Sequence, residues 1–346
     1  MRSLGSIKLF ALKGSKDYGE EIAKYLDLPL SEHEEYCFDD GECYCGSLEN
    51  VRGCDVFVIQ SLYSDEHESV AQKLMKSLIF LGSLRDASAA RITFCAPYIA
   101  FARQDRKDRS RAPITTKYMA QILQAIWVDR ILCMDVHNPT AVQNAYHIPC
   151  DLLEANTLFA EYIHNLLYRN DWLDKELVVL SPDSGGLGRA RKFRKILNEI
   201  MSSRLTRNIE AGIACLDKVH QGKEIRGYDI MGDVKGKTVI IYDDMISSGK
   251  TVLECAQAVY DKEAASILAV CATHGLFVGN ANKNLSSLEK DTRIAIADTI
   301  RPFRLLPELV YTKLDTIRTT RLFAEAIARI HENESISDLI NNGFHR

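Results

Sequence analysis

The chain has no apolar run approaching the roughly 18 residues that a membrane-spanning helix needs. Its start, MRSLGSIKLF, lacks an apolar core followed by a small-residue cleavage site. Both absences read as a soluble, cytoplasmic protein with no membrane partner. Nor is there an excess of positive charge: 43 Lys and Arg stand against 47 Asp and Glu, a formal charge of −4. No overall field draws nucleic acid, and a nucleic-acid partner is not expected. Low-complexity tracts and Pro- or Ser-rich linkers are also missing. Among the ten cysteines, Cys43 and Cys45 form a close pair, but no second pair at zinc spacing comes after it, so a structural or incidental role is the expectation. Cys95, Cys133, Cys255 and Cys271 lie singly in apolar runs and read as buried thiols of a reducing compartment. One further absence is instructive. Ser248-Gly249-Lys250-Thr251 ends like a nucleotide P-loop, yet that loop requires Gly at position 244, where this sequence has Asp.

The pattern that is present is an alternation. Short apolar or β-branched runs at Asp55–Ser61, Arg91–Pro97 and Arg130–Asp135 are separated by helical patterns over Val70–Leu84 and Thr115–Ile126. The scheme recurs with strands expected at Glu176–Leu180, Lys237–Tyr242, Ser266–Thr273 and Arg293–Ala297, and helices after Gly188 and Lys250. Strands alternating with helices make βαβ units and a mostly parallel sheet. The 346 residues therefore divide into two α/β domains, 1–155 and 156–317, and a final segment 318–346 whose helical spacing over Thr320–Leu339 suits packing on either domain. The least patterned stretch, 216–234, is rich in Gly, Lys and Asp and reads as a loop, a candidate lid.

The sharpest motif comes after the strand Thr238–Tyr242. Asp243 and Asp244 close the strand, and Ser247-Ser248-Gly249-Lys250-Thr251 opens a helix. Ligands of open α/β sheets bind at the carboxyl ends of strands, and a helix N-terminus offers unpaired N–H groups and positive potential to a phosphate. Paired carboxylates just before it accept hydrogen bonds from sugar hydroxyls. The combination suits a phosphorylated pentose; the bland alternative is a pair of acids that merely cap a helix.

This loop resembles the phosphoribosyl-diphosphate loop of type I phosphoribosyltransferases and their relatives. The N-terminal half narrows the resemblance: Phe38-Asp39-Asp40-Gly41-Glu42, Glu49-Asn50-Val51-Arg52-Gly53 and the run from Pro97 to Lys107 are similar, in order and spacing, to the ribose-phosphate pyrophosphokinase family. Further matches include Asp135-Val136-His137, Ser181-Pro182-Asp183-Ser184-Gly185-Gly186 and Thr273-His274-Gly275, so the resemblance covers nearly the whole chain. It implies two phosphoribosyltransferase-like domains and an enzyme that moves pyrophosphate from Mg·ATP to ribose 5-phosphate. It further implies that Arg103, Gln104, Asp105 and His137 meet ATP, that Asp183 and His137 hold Mg²⁺, and that Asp243, Asp244, Ser247, Ser248, Gly249, Lys250 and Thr251 bind ribose 5-phosphate. Phe38, Asp40 and Glu42 would reach the adenine site of a neighbouring subunit, which implies a homo-oligomer, dimer or hexamer.

The family's catalytic pair, a Lys and an Arg two positions later, aligns with Lys218 and His220. A histidine is only partly charged near neutral pH and lacks a guanidinium fork, so Arg226 is a second candidate for that cation. Two positions in the phosphate loop also depart from the family: Ser247 replaces an acid, and Lys250 replaces a Gly. If position 250 needs a positive φ, Lys would cost on the order of 1 kcal/mol. Two other readings stay open on the sequence: a regulatory relative that has lost transfer, and a phosphoribosyltransferase, which would leave the N-terminal motifs unused.

Overall fold

A computed structural model of the chain describes residues 4–204, 210–221, 224–337 and 339, with backbone alone for 218–221 and 224–227. The chain forms two compact units, one made of the first 154 residues together with the chain from Thr319 on, the other of Ala155–Arg318.

The first unit runs β1 (Ile7–Ala11), α1 (Lys16–Leu26), β2 (His33–Cys37), β3 (Cys43–Ser47), β4 (Asp55–Ile59), α2 (Val70–Asp86), β5 (Arg91–Ala96), α3 (Thr115–Ala125), β6 (Arg130–Met134), α4 (Pro139–Ala145) and β7 (Cys150–Leu153). Among the described residues β1, β4, β5, β6 and β7 form a parallel sheet in that order. Strands β4 to β6 are buried almost throughout, which is why they read as unbroken apolar runs: a parallel strand is covered on both faces by its crossover helices. Helix α2 starts on a capping box, with Ser69 and Gln72 each satisfying the other's backbone N–H. The strands β2 and β3 stand apart as an antiparallel hairpin.

In the second unit the order is α5 (Asn156–Arg169), β8 (Leu177–Ser181), α6 (Leu187–Arg204), β9 (Gly212–Gln221), β10 (Glu224–Met231), β11 (Thr238–Ile246), α7 (Lys250–Asp261), β12 (Ser266–Gly275), α8 (Ala281–Ser286), β13 (Arg293–Ala297), α9 (Pro307–Thr312) and β14 (Leu314–Ile317). Its sheet has the order β10-β9-β8-β11-β12-β13-β14, parallel except where β10 runs against β9. The expected α/β class with phosphoribosyltransferase-like sheets is what the chain adopts. The loop expected over 216–234 is corrected: most of it is an antiparallel hairpin at the sheet edge, its polar, glycine-containing sequence suiting an edge ribbon rather than a buried strand. Among the described residues no helix is long and apolar enough to cross a membrane.

Helix α10 (Thr320–Glu332) is amphipathic, with Leu322, Phe323, Ala326, Ile327 and Ile330 buried, and it packs on α1. It stops at Asn333, whose left-handed φ of 60° caps it, and Ser337 and Leu339 are again helical. Its end is tied to the sheet by charge. Asp55 is wholly buried at the head of β4 and accepts from Arg91, its register partner on β5, through Nε at 2.8 Å and Nη2 at 2.5 Å. The same carboxylate lies 2.9 Å from Nδ1 of His331, and Arg91 also donates to the Ile330 carbonyl at 2.8 Å. Removing one partner of a buried pair strands the other charge, typically at about 3–5 kcal/mol. Asp55→Ala should therefore lower the thermal unfolding midpoint by several degrees in calorimetry, whereas Lys24→Ala, which removes an exposed ion pair on α1, should leave it unchanged.

Candidate active site

The strands β8 and β11 are parallel neighbours, Leu177–Leu180 against Thr238–Ile241, so the chain leaves both at one edge of the sheet. The segments that leave the two strands are therefore brought side by side. After β8 comes Asp183, exposed, whose Oδ1 accepts the Gly186 N–H at 2.8 Å. A Cβ on Gly186 would sit 2.9 Å from Ser181 Oγ, so a side chain there would push against the hydroxyl that donates to the Asp183 carbonyl at 2.7 Å. After Ile241 comes Tyr242, fully buried, stacked on Phe193 at 4.0 Å and donating to Asn156 at 2.7 Å. This anchor holds the backbone of the next two residues.

Those residues are Asp243 and Asp244, which lie inside β11 rather than beyond it, since the strand continues to Ile246. Arg189, in the first turn of α6, reaches both carboxylates through Nη1, at 3.2 Å to Asp243 and 3.3 Å to Asp244. One guanidinium does not fully offset two acids. Burial and then the adjacent Asp244 push the Asp243 carboxyl well above the usual carboxylate range, against the pull of Arg189. The turn Ser247–Gly249 then enters α7. Its positive φ of 70° belongs to Gly249, the N-cap, and Lys250 is free of the strain considered for it: Lys250 is the first helical residue and places its ammonium 3.6 Å from Glu254. Asn284 braces the turn by donating to the Ser248 carbonyl at 2.9 Å. Thr251 is half-buried in the first turn of α7. The result is two carboxylates and a helix N-terminus at one sheet edge, able to hold sugar hydroxyls and a phosphate.

Strand β9 pairs with β8 only as far as Ser181–Cys215, so the hairpin runs on past the end of β8. Lys218 faces Tyr228 across the ladder and His220 faces Ile225. Arg226 falls in the register shift between Ile225 and Gly227, beside the partner of His220. The side chains of Lys218, His220 and Arg226 lie outside the described residues.

In the first unit, Arg103, Gln104 and Asp105 occupy the irregular segment after β5, and His137 comes after β6, again at neighbouring carboxyl ends. Arg103 and His137 are exposed. Asn138 links the two segments: its Nδ2 donates to Asp105 at 2.5 Å while its Oδ1 caps α4 through the Ala141 N–H. Gln104 is turned inward on its own loop, donating to the Arg106 carbonyl at 3.0 Å. Phe38, Asp40 and Glu42 sit elsewhere, at the tip of the β2–β3 hairpin, with Phe38 exposed beside Tyr36. His137 and Asp183, the two residues read as metal ligands, belong to different units.

Comparison with known proteins decides the family. A model of the N-terminal domain of ribose phosphate pyrophosphokinase matches residues 7–126, and one of the phosphoribosyl synthetase-associated domain matches 206–341. The ribose-phosphate pyrophosphokinase of Caldanaerobacter subterraneus subsp. tengcongensis is 38% identical over 98% of this chain and 99% of its own. Ribose-phosphate pyrophosphokinase 1 of Streptococcus mutans is 36% identical over 97% and 98%. The chain belongs to the ribose-phosphate pyrophosphokinase family. A crystal structure of phosphoribosylpyrophosphate synthetase from Mycobacterium smegmatis superposes with a TM-score of 0.82 at 30% identity, covering 95% of this chain and all of that one.

Within this pyrophosphokinase fold, sequence reading missed Arg189 and Asn138. Arg189 lies 54 residues from Asp243, and only its place in the first turn after a glycine-containing strand exit could have flagged it. The repulsion between the two acids yields a prediction. Because the folded-state pKa of Asp243 is raised, its favourable contribution to stability is complete below the ordinary aspartate pKa and is lost as pH rises through the raised value. Asp243→Asn should remove that loss, raising the unfolding midpoint at neutral pH by about 2–4 °C per kcal/mol recovered and flattening its decline as pH rises above the ordinary aspartate range. A lower midpoint for the variant at neutral pH would contradict the assignment.

Proposed function

We propose that this chain transfers the β,γ-pyrophosphoryl group of Mg·ATP to the 1-hydroxyl of ribose 5-phosphate, giving phosphoribosyl pyrophosphate and AMP. The observation that carries the reading is the pairing of Asp243 and Asp244 with the Ser247–Thr251 helix entry beside the Asp183 turn, in a chain of this family. The acids position the ribose hydroxyls, and the backbone N–H groups at the start of α7, with Ser247, Ser248 and Thr251, hold the 5-phosphate. Arg189 keeps both carboxylates oriented until the sugar takes over their hydrogen bonds.

On this reading residues 1–155 carry the ATP motifs and 156–317 carry the ribose 5-phosphate and catalytic motifs. Arg103 neutralises polyphosphate and Gln104 reads the base, with Asp105 fixed by Asn138. Asp183 is exposed and presents a hard carboxylate oxygen, a donor that suits Mg²⁺, which keeps several waters and takes substrate phosphates as its other ligands; His137, in the other unit, is also exposed. When bound, the ion would offset charge on the triphosphate. Displacement at the β-phosphorus is in-line at a centre dense with negative charge, so the remaining need is a cation that arrives with closure. Lys218 supplies it. Arg226 is the second cation, a permanently charged residue whose backbone lies in the register shift beside His220's partner. The exposed Phe38, Tyr36 and Tyr44 support a homo-oligomer in which the hairpin tip meets a neighbouring copy, as a dimer or hexamer.

Purified protein given Mg²⁺, ATP and ribose 5-phosphate should release AMP only when the sugar phosphate is present. A regulatory relative without turnover is the second reading, favoured by His220 in place of a permanently charged side chain; no ribose-dependent AMP across pH, with and without phosphate, would establish it instead. Lys218→Ala should lower kcat by on the order of 10²–10³ with ATP binding retained. If Arg226 is the second cation, Arg226→Ala loses comparably while His220→Ala stays near wild type; the reverse order would return the role to His220.

A further inference from the structure

The hairpin β2–β3 holds a feature that pyrophosphoryl transfer does not use. Cys37 ends β2 and Cys43 begins β3, and the two are register partners. Just beyond them the Phe38 N–H donates to the Glu42 carbonyl at 2.8 Å. That bond makes Cys37–Cys43 a non-hydrogen-bonded pair, the type whose side chains come closest across an antiparallel ladder. Their sulfurs are 3.0 Å apart, about 1 Å longer than a disulfide bond. Cys45, the neighbour that sequence alone pairs with Cys43, instead faces Glu35 and is buried.

The two ends of the hairpin differ in how they are held. At the root, Glu35 is tied to Lys76 of α2 and to His33, and these hydrogen bonds overcome burial to bring its carboxyl down to about 2. At the tip, residues 38–42 are closed by the turn bond from Gly41 N–H to the Phe38 carbonyl and by Glu42 N–H to Asp40. The cysteine pair sits between root and tip. Cys37 is exposed and Cys43 partly so, while burial and the adjacent Cys37 push the Cys43 thiol up to about 11. An external oxidant therefore meets Cys37 first, and Cys43 is the thiol that resolves.

We propose that Cys37 and Cys43 form a reversible dithiol–disulfide couple, oxidised by small-molecule disulfides, that clasps the tip of the β2–β3 hairpin. The Cys37 thiolate attacks one sulfur of the small disulfide and expels one thiol. Cys43 then loses its proton to solvent and attacks the Cys37 sulfur of the mixed disulfide, expelling the second. Two protein thiols and one small disulfide become one protein disulfide and two small thiols. A consequence for catalysis rests on the proposed adenine-contacting role of Phe38, Asp40 and Glu42, which lie within the closed ring.

The test uses the full chain equilibrated with oxidised and reduced glutathione, then alkylated, digested and analysed by mass spectrometry. Wild type and Cys45→Ser should both lose alkylation at Cys37 and Cys43 with the mass of two hydrogens missing, reversed by dithiothreitol. Cys43→Ser should instead retain glutathione on Cys37. Free, alkylatable Cys37 and Cys43 in oxidised wild type, or a disulfide that survives Cys37→Ser, would overturn the couple. Oxidised wild type should also show a several-fold change in KM for ATP that dithiothreitol restores. A disulfide that forms with KM unchanged would leave the couple standing and remove the hairpin tip from the adenine site.

Discussion

Burial of parallel strands on both faces is the constraint on which the rest of each unit depends. Such strands cannot be joined by tight turns; each must be linked through a crossover that lies on the sheet and covers it. Every strand then ends at the same edge, and the segments after β5 and β6, or after β8 and β11, collect there whatever their distance in sequence. The apolar core thus decides where polar chemistry can gather, although none of its residues takes part in that chemistry. Tyr242 joins the two levels, since its buried ring and its bond to Asn156 fix the backbone on which Asp243 and Asp244 stand.

The acid pair is a place where stability yields to function. Two carboxylates on consecutive residues share one guanidinium, and Asp243 is pushed toward its protonated form by burial and by its neighbour. A protein selected only for stability would not keep that arrangement. The proposed function gives it a use, because sugar hydroxyls would relieve the repulsion when substrate arrives. Arg189 belongs to the same argument, an orienting partner that holds the acids in the meantime.

Both hairpins break the parallel pattern and both carry residues with proposed roles. The β9–β10 ribbon lies on the edge of its sheet and outruns its neighbour β8. The β2–β3 ribbon is anchored at Glu35 and exposes aromatic residues on one side and thiols on the other. Antiparallel ribbons tolerate this two-faced composition because only one face need be buried. The parallel strands of the same units do not.

The fold class was legible in the alternation of apolar runs and helical periods, since a doubly covered strand has no choice but to be apolar throughout. The passage from β11 into α7 was legible as well, because Asp243-Asp244 and Ser247–Thr251 are contiguous and the turn they make is local. Three things were decided only by tertiary structure. Position 249, not 250, takes the positive φ, because that depends on where β11 stops and α7 begins. Arg189 and Asn138 reach their acids across neighbouring strand ends, a proximity that spacing along the chain does not encode. Cys37 pairs with Cys43 rather than Cys43 with Cys45, because adjacency across a ladder is set by register, and residues two apart on one strand share a face without facing each other.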